Sequence, residues 1–215
     1  MLRLNRLPRE VDKGFTLVEL LAVIVIAGIL AALSARGYSG LMNTTRINNA
    51  QSKLFSAIKD AQSKAKRDKI TYQLSIRRNP AGSGEIEVGV HNAKLPNTGA
   101  YRTDVNNWNW QPIIPGSIKD SQRVRVGVSG NFTIPEFPGA GGQKVICVRF
   151  APDGSIDTGS GCVSLQNVYI VIKGDRSSGA NQKLRCIRFT SHLGSVNSFK
   201  QGEADCNDQP ANRFL

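Results

Sequence analysis

The sequence is short of the residues that carry most enzyme chemistry. Its 215 residues include two histidines, His91 and His192. Neither stands beside a set of metal-ligating neighbours, which leaves them surface or packing roles. The four cysteines, Cys147, Cys162, Cys186 and Cys206, include no Cys-x-x-Cys pair. The glycine-rich stretch Gly139-Ala140-Gly141-Gly142 follows Pro138 and precedes a strand pattern, whereas a phosphate loop opens a helix. Asp153-Gly154-Ser155-Ile156-Asp157 lacks the spaced acids and terminal Glu of a calcium loop and reads as a hairpin turn. No catalytic constellation is legible. The expectation is of a protein that is not an enzyme and that uses no metal or cofactor.

Acidic residues are also few: 16 against 28 basic, for a net charge of +12. The excess is uneven. Residues 1–14 carry +2, residues 15–78 carry +7 with ten basic and three acidic side chains, and residues 79–215 carry only +3. The basic character sits in the N-terminal third, so charge alone argues weakly for nucleic-acid binding by the rest.

What the chain does have is one long apolar run, Phe15 to Leu33. As a helix it spans roughly 28 Å, close to the hydrocarbon core of a bilayer at about 30 Å. Three readings compete: a plain anchor, a secretory signal peptide cut near Ser34, and an anchor processed before the apolar run at Gly14. The run is longer than the ~7–15 residues of a signal-peptide apolar region. It also carries one acid, Glu19. A charge deep in a membrane helix costs about 2.5–3.5 kcal/mol on insertion scales, less near an end, and calls for a partner. A cut after Gly14 creates one, because Phe15 then bears a free amine. A helix N-terminus also favours a negative charge in its first turns. The plain alternative is that Glu19 snorkels to the interface.

The flanking residues favour the third of these. Lys13-Gly14-Phe15-Thr16-Leu17-Val18-Glu19 resembles the prepilin signature of type IV pilins and type II secretion pseudopilins. The resemblance comprises a short basic leader, Gly14 before the cut, Phe15 after it, Glu19 as the fifth mature residue, and the apolar run. It implies cleavage between Gly14 and Phe15 by a membrane prepilin peptidase and N-methylation of Phe15. It also implies that Glu19 pairs with a neighbour's N-terminus during assembly. Implied partners are other pilins or pseudopilins, the inner-membrane assembly platform and the membrane itself. Many major pilins have a helix-kinking proline after the apolar run. Arg36-Gly37-Tyr38-Ser39-Gly40 has none, and its two glycines can loosen the helix instead.

Beyond Gly40, Ile47, Ala50, Leu54, Ala57, Ile58, Ala61 and Ala65 recur at helical spacing, with Lys53, Lys59, Lys64 and Arg67 largely off that stripe. The pattern predicts one long helix to about Lys69. A period of two then takes over in "ITYQLSIR" (70–77), "EIEVGVH" (85–91), "QRVRVGV" (122–128) and "QKVICVRF" (143–150). In the last of these Ile146, Val148 and Phe150 share one face and Cys147 and Arg149 the other. "VYIVIK" (168–173), "LRCIRFT" (184–190) and a stretch near Val196 complete the strands, while 92–121 reads as loop. The expected fold is α+β and pilin-like, in three parts: a leader (1–14), a helix (15–69) whose first half is membrane-embedded, and a β-rich head of antiparallel sheet (70–215).

The helix leading straight into a strand, "VRFAPDGSIDTGSGCVSL" and "LRCIRFTSHLGSVNSFK" are similar to the GspH/FimT group of minor pseudopilins and minor pilins. Members that bind DNA use a Gly-Arg-x-Arg-like motif. Here Gly194-Ser195-Val196-Asn197 stands in its place, without either arginine.

If the head is exported, its cysteines suit one or two disulfides. Of three full pairings, Cys147–Cys162 with Cys186–Cys206 closes the shortest loops. Lys183, Arg185 and Arg188, with Lys173, Arg176 and Lys200, form a basic cluster that can meet DNA phosphates or serve as a solvated sheet edge. Trp108 and Trp110 can stack on a ligand or cover the head's core. Two rivals to a structural or priming subunit remain at this level: a DNA receptor and an uncleaved single-span protein.

Overall fold

The computed structural model describes residues 14–95, 97–102, 108–128, 134, 136–137, 143–158, 162, 169–174, 184–203, 206 and 214–215, except the side chains of 33–40, 136 and 137. The leader residues 1–13 and Lys183 lie outside the described residues. The chain divides into two compact units, Met1–Met42 and Asn43–Leu215.

Helix α1 runs from Leu17 to Asp68. Both Gly37 and Gly40 lie inside it. Its end is local chemistry. Lys66 and Arg67 occupy the last turn, where cations suit the exposed carbonyls. Lys69 then takes a left-handed φ of 57°. That conformation stops a helix. Asp68 collects the Tyr72 hydroxyl at 2.8 Å and the Arg67 Nε at 2.7 Å.

In the second unit all strand pairings among the described residues are antiparallel. One sheet holds β1 (Tyr72–Arg78), β2 (Ile86–Asn92), β3 (Gln111–Pro112), β5 (Glu136–Phe137) and β6 (Gln143–Phe150), in the order β3-β2-β1-β6-β5. The other holds β4 (Val124–Val128), β7 (Tyr169–Gly174), β8 (Arg185–Phe189) and β9 (Val196–Lys200), in the order β4-β7-β8-β9. The α1 stripe Ile47, Ala50, Leu54, Ala57, Ile58, Ala61 and Ala65 is buried in one core with the inward side chains of both sheets, among them Leu74, Ile76, Ile146, Phe150, Ile172 and Ile187. A helical period on α1 meets the alternating period of the strands, so each element brings one apolar face to the same core.

The outward faces are not simply solvated. On the first sheet Trp108 packs with Val145, Cys147 and Cys162, and Trp110 rests against that cluster. On the second, Tyr169, Val171, Leu184, Cys186, Cys206 and Phe214 form another. Disulfides Cys147–Cys162 and Cys186–Cys206 sit in these outer layers, one on each sheet.

Two elements fall where the sequence reads as loop. Strand β3 is two residues long and places Pro112 at the sheet edge, where a missing N–H is tolerated. Helix α2 (Ile118–Gln122) displaces the start of the strand expected from 122 to Val124. Ser117 caps α2 by accepting from the Asp120 backbone N–H at 3.2 Å. Serine suits that position because its hydroxyl meets an otherwise unpaired first-turn donor.

Helix α2 is tied to α1 by a short hydrogen bond from Arg46 to Asp120. The Arg46 bond, helped by Ser117, holds the Asp120 carboxyl below its usual range. A carboxylate with a depressed folded pKa adds stability above its unfolded pKa, about 3.9, and loses it as pH falls through the folded value. Arg46→Met is therefore expected to lower Tm at about pH 6, and the gap from wild type should narrow as the scan descends below about pH 4. Parallel curves across the acid limb would show that the pair contributes no charge-linked stability.

Candidate processing and assembly site

Thr16 and Glu19 stand three residues apart at the start of α1, and their side chains close on each other. The Glu19 backbone N–H donates to Thr16 Oγ1 at 3.3 Å. In return the Thr16 N–H and Thr16 hydroxyl donate to Glu19 Oε2 at 3.5 and 3.4 Å. This is a capping box, in which two otherwise unmet donors of the first turn are satisfied reciprocally. Glu19 thus has a partner within its own chain, and the carboxylate lies where the helix dipole favours it. The motif Thr-x-x-Glu was legible as a capping signal and was overshadowed by the apolar run beside it.

Gly14 precedes the helix in irregular backbone, and no described atom would meet a side chain there within 4 Å. Phe15 is 85% exposed. From Leu17 to Leu30 no large apolar side chain falls below Val25's 52% exposure. An apolar helix with no polar face demands a cover on every side. Among the described residues no helix is long and apolar enough to cross a membrane.

The candidate phosphate-contacting residues are separated rather than assembled. In β8, Arg185 pairs across to Ile172 and Lys200, while Arg188 pairs to Tyr169 and Asn197. Three residues apart on a strand means opposite faces. Arg185 Nε donates to Asn48 Oδ1 of α1 at 3.1 Å. The Arg188 guanidinium lies 5.2 Å from the Tyr169 ring on the other side. Lys173 lies 4.2 Å over the Phe214 ring.

The tryptophans cover the first sheet. Trp108 stacks on His91 at 3.6 Å, and the Arg77 guanidinium lies 4.1 Å over Trp110. Gly89 on β2 makes room for them, since a side chain there would approach Trp110 to 3.3 Å. Beneath runs a buried polar layer that sequence reasoning did not find. Arg77 pairs with Glu87 at 2.8 Å, Gln73 donates to Ser75 at 2.8 Å, and Arg149 donates to Gln73 at 2.7 Å. Arg149 is 3% exposed, and its guanidinium lies 3.7 Å from the Tyr101 ring. The signal was present as alternating polar residues in β1, but alternation alone reads as a wet face.

Among known families, the one described as the prokaryotic N-terminal methylation motif matches residues 11–35. No curated protein and no solved structure matches the chain. The chain therefore carries a type IV pilin-like prepilin signature on the segment that contains Gly14, Phe15 and the Thr16–Glu19 cap.

Proposed function

We propose that the protein is a minor pilin or pseudopilin of the GspH/FimT group, a structural or priming subunit of a type IV pilus or a type II secretion pseudopilus. In this reading a membrane prepilin peptidase cuts between Gly14 and Phe15, and the new amine of Phe15 is methylated. The α1 segment from Phe15 first anchors the chain in the inner membrane with its N-terminus cytoplasmic and its head outside. It then passes into a filament core of like helices, guided by the assembly platform.

The observation that carries the reading is the methylation motif at residues 11–35 heading a helix whose large apolar side chains from Leu17 to Leu30 are exposed on all sides. Such a surface is stable only inside lipid or against other apolar helices. A motif whose cut lies before the apolar run retains that run in the mature protein, so both environments are open to it in turn. The DNA-receptor alternative gains nothing from Arg185 and Arg188, whose side chains leave opposite faces of one sheet.

Intact mass and N-terminal sequencing of the protein extracted from membranes test the proposal. The expected species begins at Phe15 with one methyl group on its amine. A chain that begins at Met1, or near Arg36, would refute it.

A further inference from the structure

We propose that His91 is a proton-operated latch: its neutral ring holds the tryptophan cover on the first sheet, and protonation of the ring releases that cover. The latch lies wholly in the head and is independent of the filament reading.

Beneath the cover, register sets Gln73 of β1 between His91 of β2 and Arg149 of β6. The direction of each proton in this row is fixed from its two ends. At one end Arg149 can only donate, and its Nε donates to Gln73 Oε1 at 2.7 Å. That orients the Gln73 amide, whose Nε2 donates to Ser75 Oγ at 2.8 Å. At the other end the Asn92 carbonyl oxygen can only accept, and His91 Nδ1 lies 3.0 Å from it. Nδ1 therefore carries a proton. Between the ends, Ser75 Oγ lies 3.1 Å from His91 Nε2. Gln73 and Ser75 are fully buried. Among the described residues the Ser75 hydroxyl proton finds its acceptor in His91 Nε2, and Nε2 accepts only when it is bare. One neutral tautomer thus satisfies every step from Arg149 to Asn92.

A second proton on the ring breaks this order. An imidazolium donates from both nitrogens, so two protons would meet between Nε2 and Oγ. The Ser75 proton would then be left without an acceptor at a depth that water does not reach, and an unmet buried donor is costly. The charged ring escapes by leaving its place. Trp108 is stacked on that ring at 3.6 Å and meets Trp110 at 5.4 Å. Trp108 also packs on Val145 and the Cys147–Cys162 bridge. Loss of the ring removes one support of Trp108, and Trp110 loosens with it.

The surrounding charges do not offset the collision. On β2 Glu87 shares the face of His91 and is held by Arg77 of β1 at 2.8 Å, while Glu85 lies six residues away at the turn end. Arg77 also sits over the Trp110 ring. From β6, Arg149 reaches the row through Gln73 and lies against the Tyr101 ring at 3.7 Å. Tyr101 gives its hydroxyl proton to Asp157 at 2.6 Å, and Lys94 lies 5.4 Å over the same ring. The indole face of Trp108 favours a cation, but Arg149 at the far end of the row opposes a second one, and the stack leaves the two protons between Nε2 and Oγ where they are. The stability held by the neutral ring is complete above about pH 6.5, where an ordinary histidine is uncharged, and is lost as pH falls below that.

Trp108 and Trp110 are the two tryptophans of the chain, so tryptophan emission reports on the cover alone. The test follows the emission maximum and acrylamide quenching of the full chain in detergent from about pH 8 to about pH 5, with far-UV circular dichroism in parallel. A red shift and a rise in quenching are expected as pH falls below about 6.5, with the circular dichroism unchanged. His91→Gln removes the titrating ring and should show no transition. His192→Gln, in an exposed turn, should behave as wild type. A wild type without a transition, or the same transition in His91→Gln, would overturn the latch. Loss of the far-UV signal in step with the emission would overturn it too, because acid would then unfold the head and not unlatch its cover. If His91→Gln does not fold, nitrogen NMR of the wild-type imidazoles at neutral pH decides. One of the two rings must be neutral with its proton on Nδ1, and Nε2 protonation of both would sink the proposal.

Discussion

Glu19→Ala is expected to leave the cut at Gly14 largely intact and to remove most of the protein from filaments. Glu19 lies beyond the cut, so the peptidase substrate is little altered. Its carboxylate, by contrast, would face a neighbour's methylated amine inside an apolar core. Removing one partner of a buried ion pair costs about 3–5 kcal/mol, or at least about a hundredfold in incorporation. The ratio of filament-bound to membrane-bound protein, measured by immunoblotting after shearing, reads this directly.

The Thr16–Glu19 capping box sharpens that experiment. Glutamine at the third helical position can still reach back to the cap N–H, so Glu19→Gln preserves the local contact and removes only the charge. Thr16→Val removes the cap oxygen and keeps the charge, at a helix cost of about 1 kcal/mol. If assembly depends on the ion pair, Glu19→Gln fails as Glu19→Ala does and Thr16→Val assembles. Normal incorporation of Glu19→Gln would make Glu19 a helix cap and nothing more.

The second large effect is expected from the disulfides. Cys147–Cys162 closes a separation of 15 residues and Cys186–Cys206 one of 20. Loops of that length contribute about 3 kcal/mol each through the unfolded chain. Together they approach the whole stability of an ordinary domain, about 5–15 kcal/mol. The double variant Cys186→Ala, Cys206→Ala should lower the denaturant-derived stability by about 3 kcal/mol, and reduction of both bridges should unfold the head or bring it close. An unchanged denaturation midpoint under strong reductant, with free thiols confirmed by alkylation, would show that the sheets and helix suffice. Both bridges cover outward sheet faces, so their loss would also strip the second apolar layer from β6 and β8.

Much of the second unit could be read from the sequence because its signals are local. The stripe from Ile47 to Ala65 announces a helix with one apolar face, and that face is buried. The strands at 70–77, 85–91, 143–150, 168–173 and 184–190 appear close to where alternation places them, with shifts at their ends no larger than the ordinary fraying of element boundaries. Helix α2 escapes a sequence reading because five residues carry too little periodicity, although Ser117 and Asp120 mark its cap.

Sequence alone determined the N-terminal signature: Gly14, Phe15, Glu19 and the apolar run form one contiguous string, within the methylation motif at residues 11–35. It also set the inward faces, since the helical and strand periods are properties of neighbouring residues. The outward faces were decided only by tertiary structure. Arg149, Arg77, Glu85 and Gln73 alternate as solvent-facing residues do, yet all are buried. The cover comes from far along the chain, where Trp108, Trp110 and Cys162 fold back over the first sheet. Likewise Arg185 and Arg188 form one basic cluster in the sequence and sit on two sides of a strand in space. Alternation records which side of a strand a residue occupies. What lies across that side depends on contacts between distant segments, and those form only when the whole chain closes.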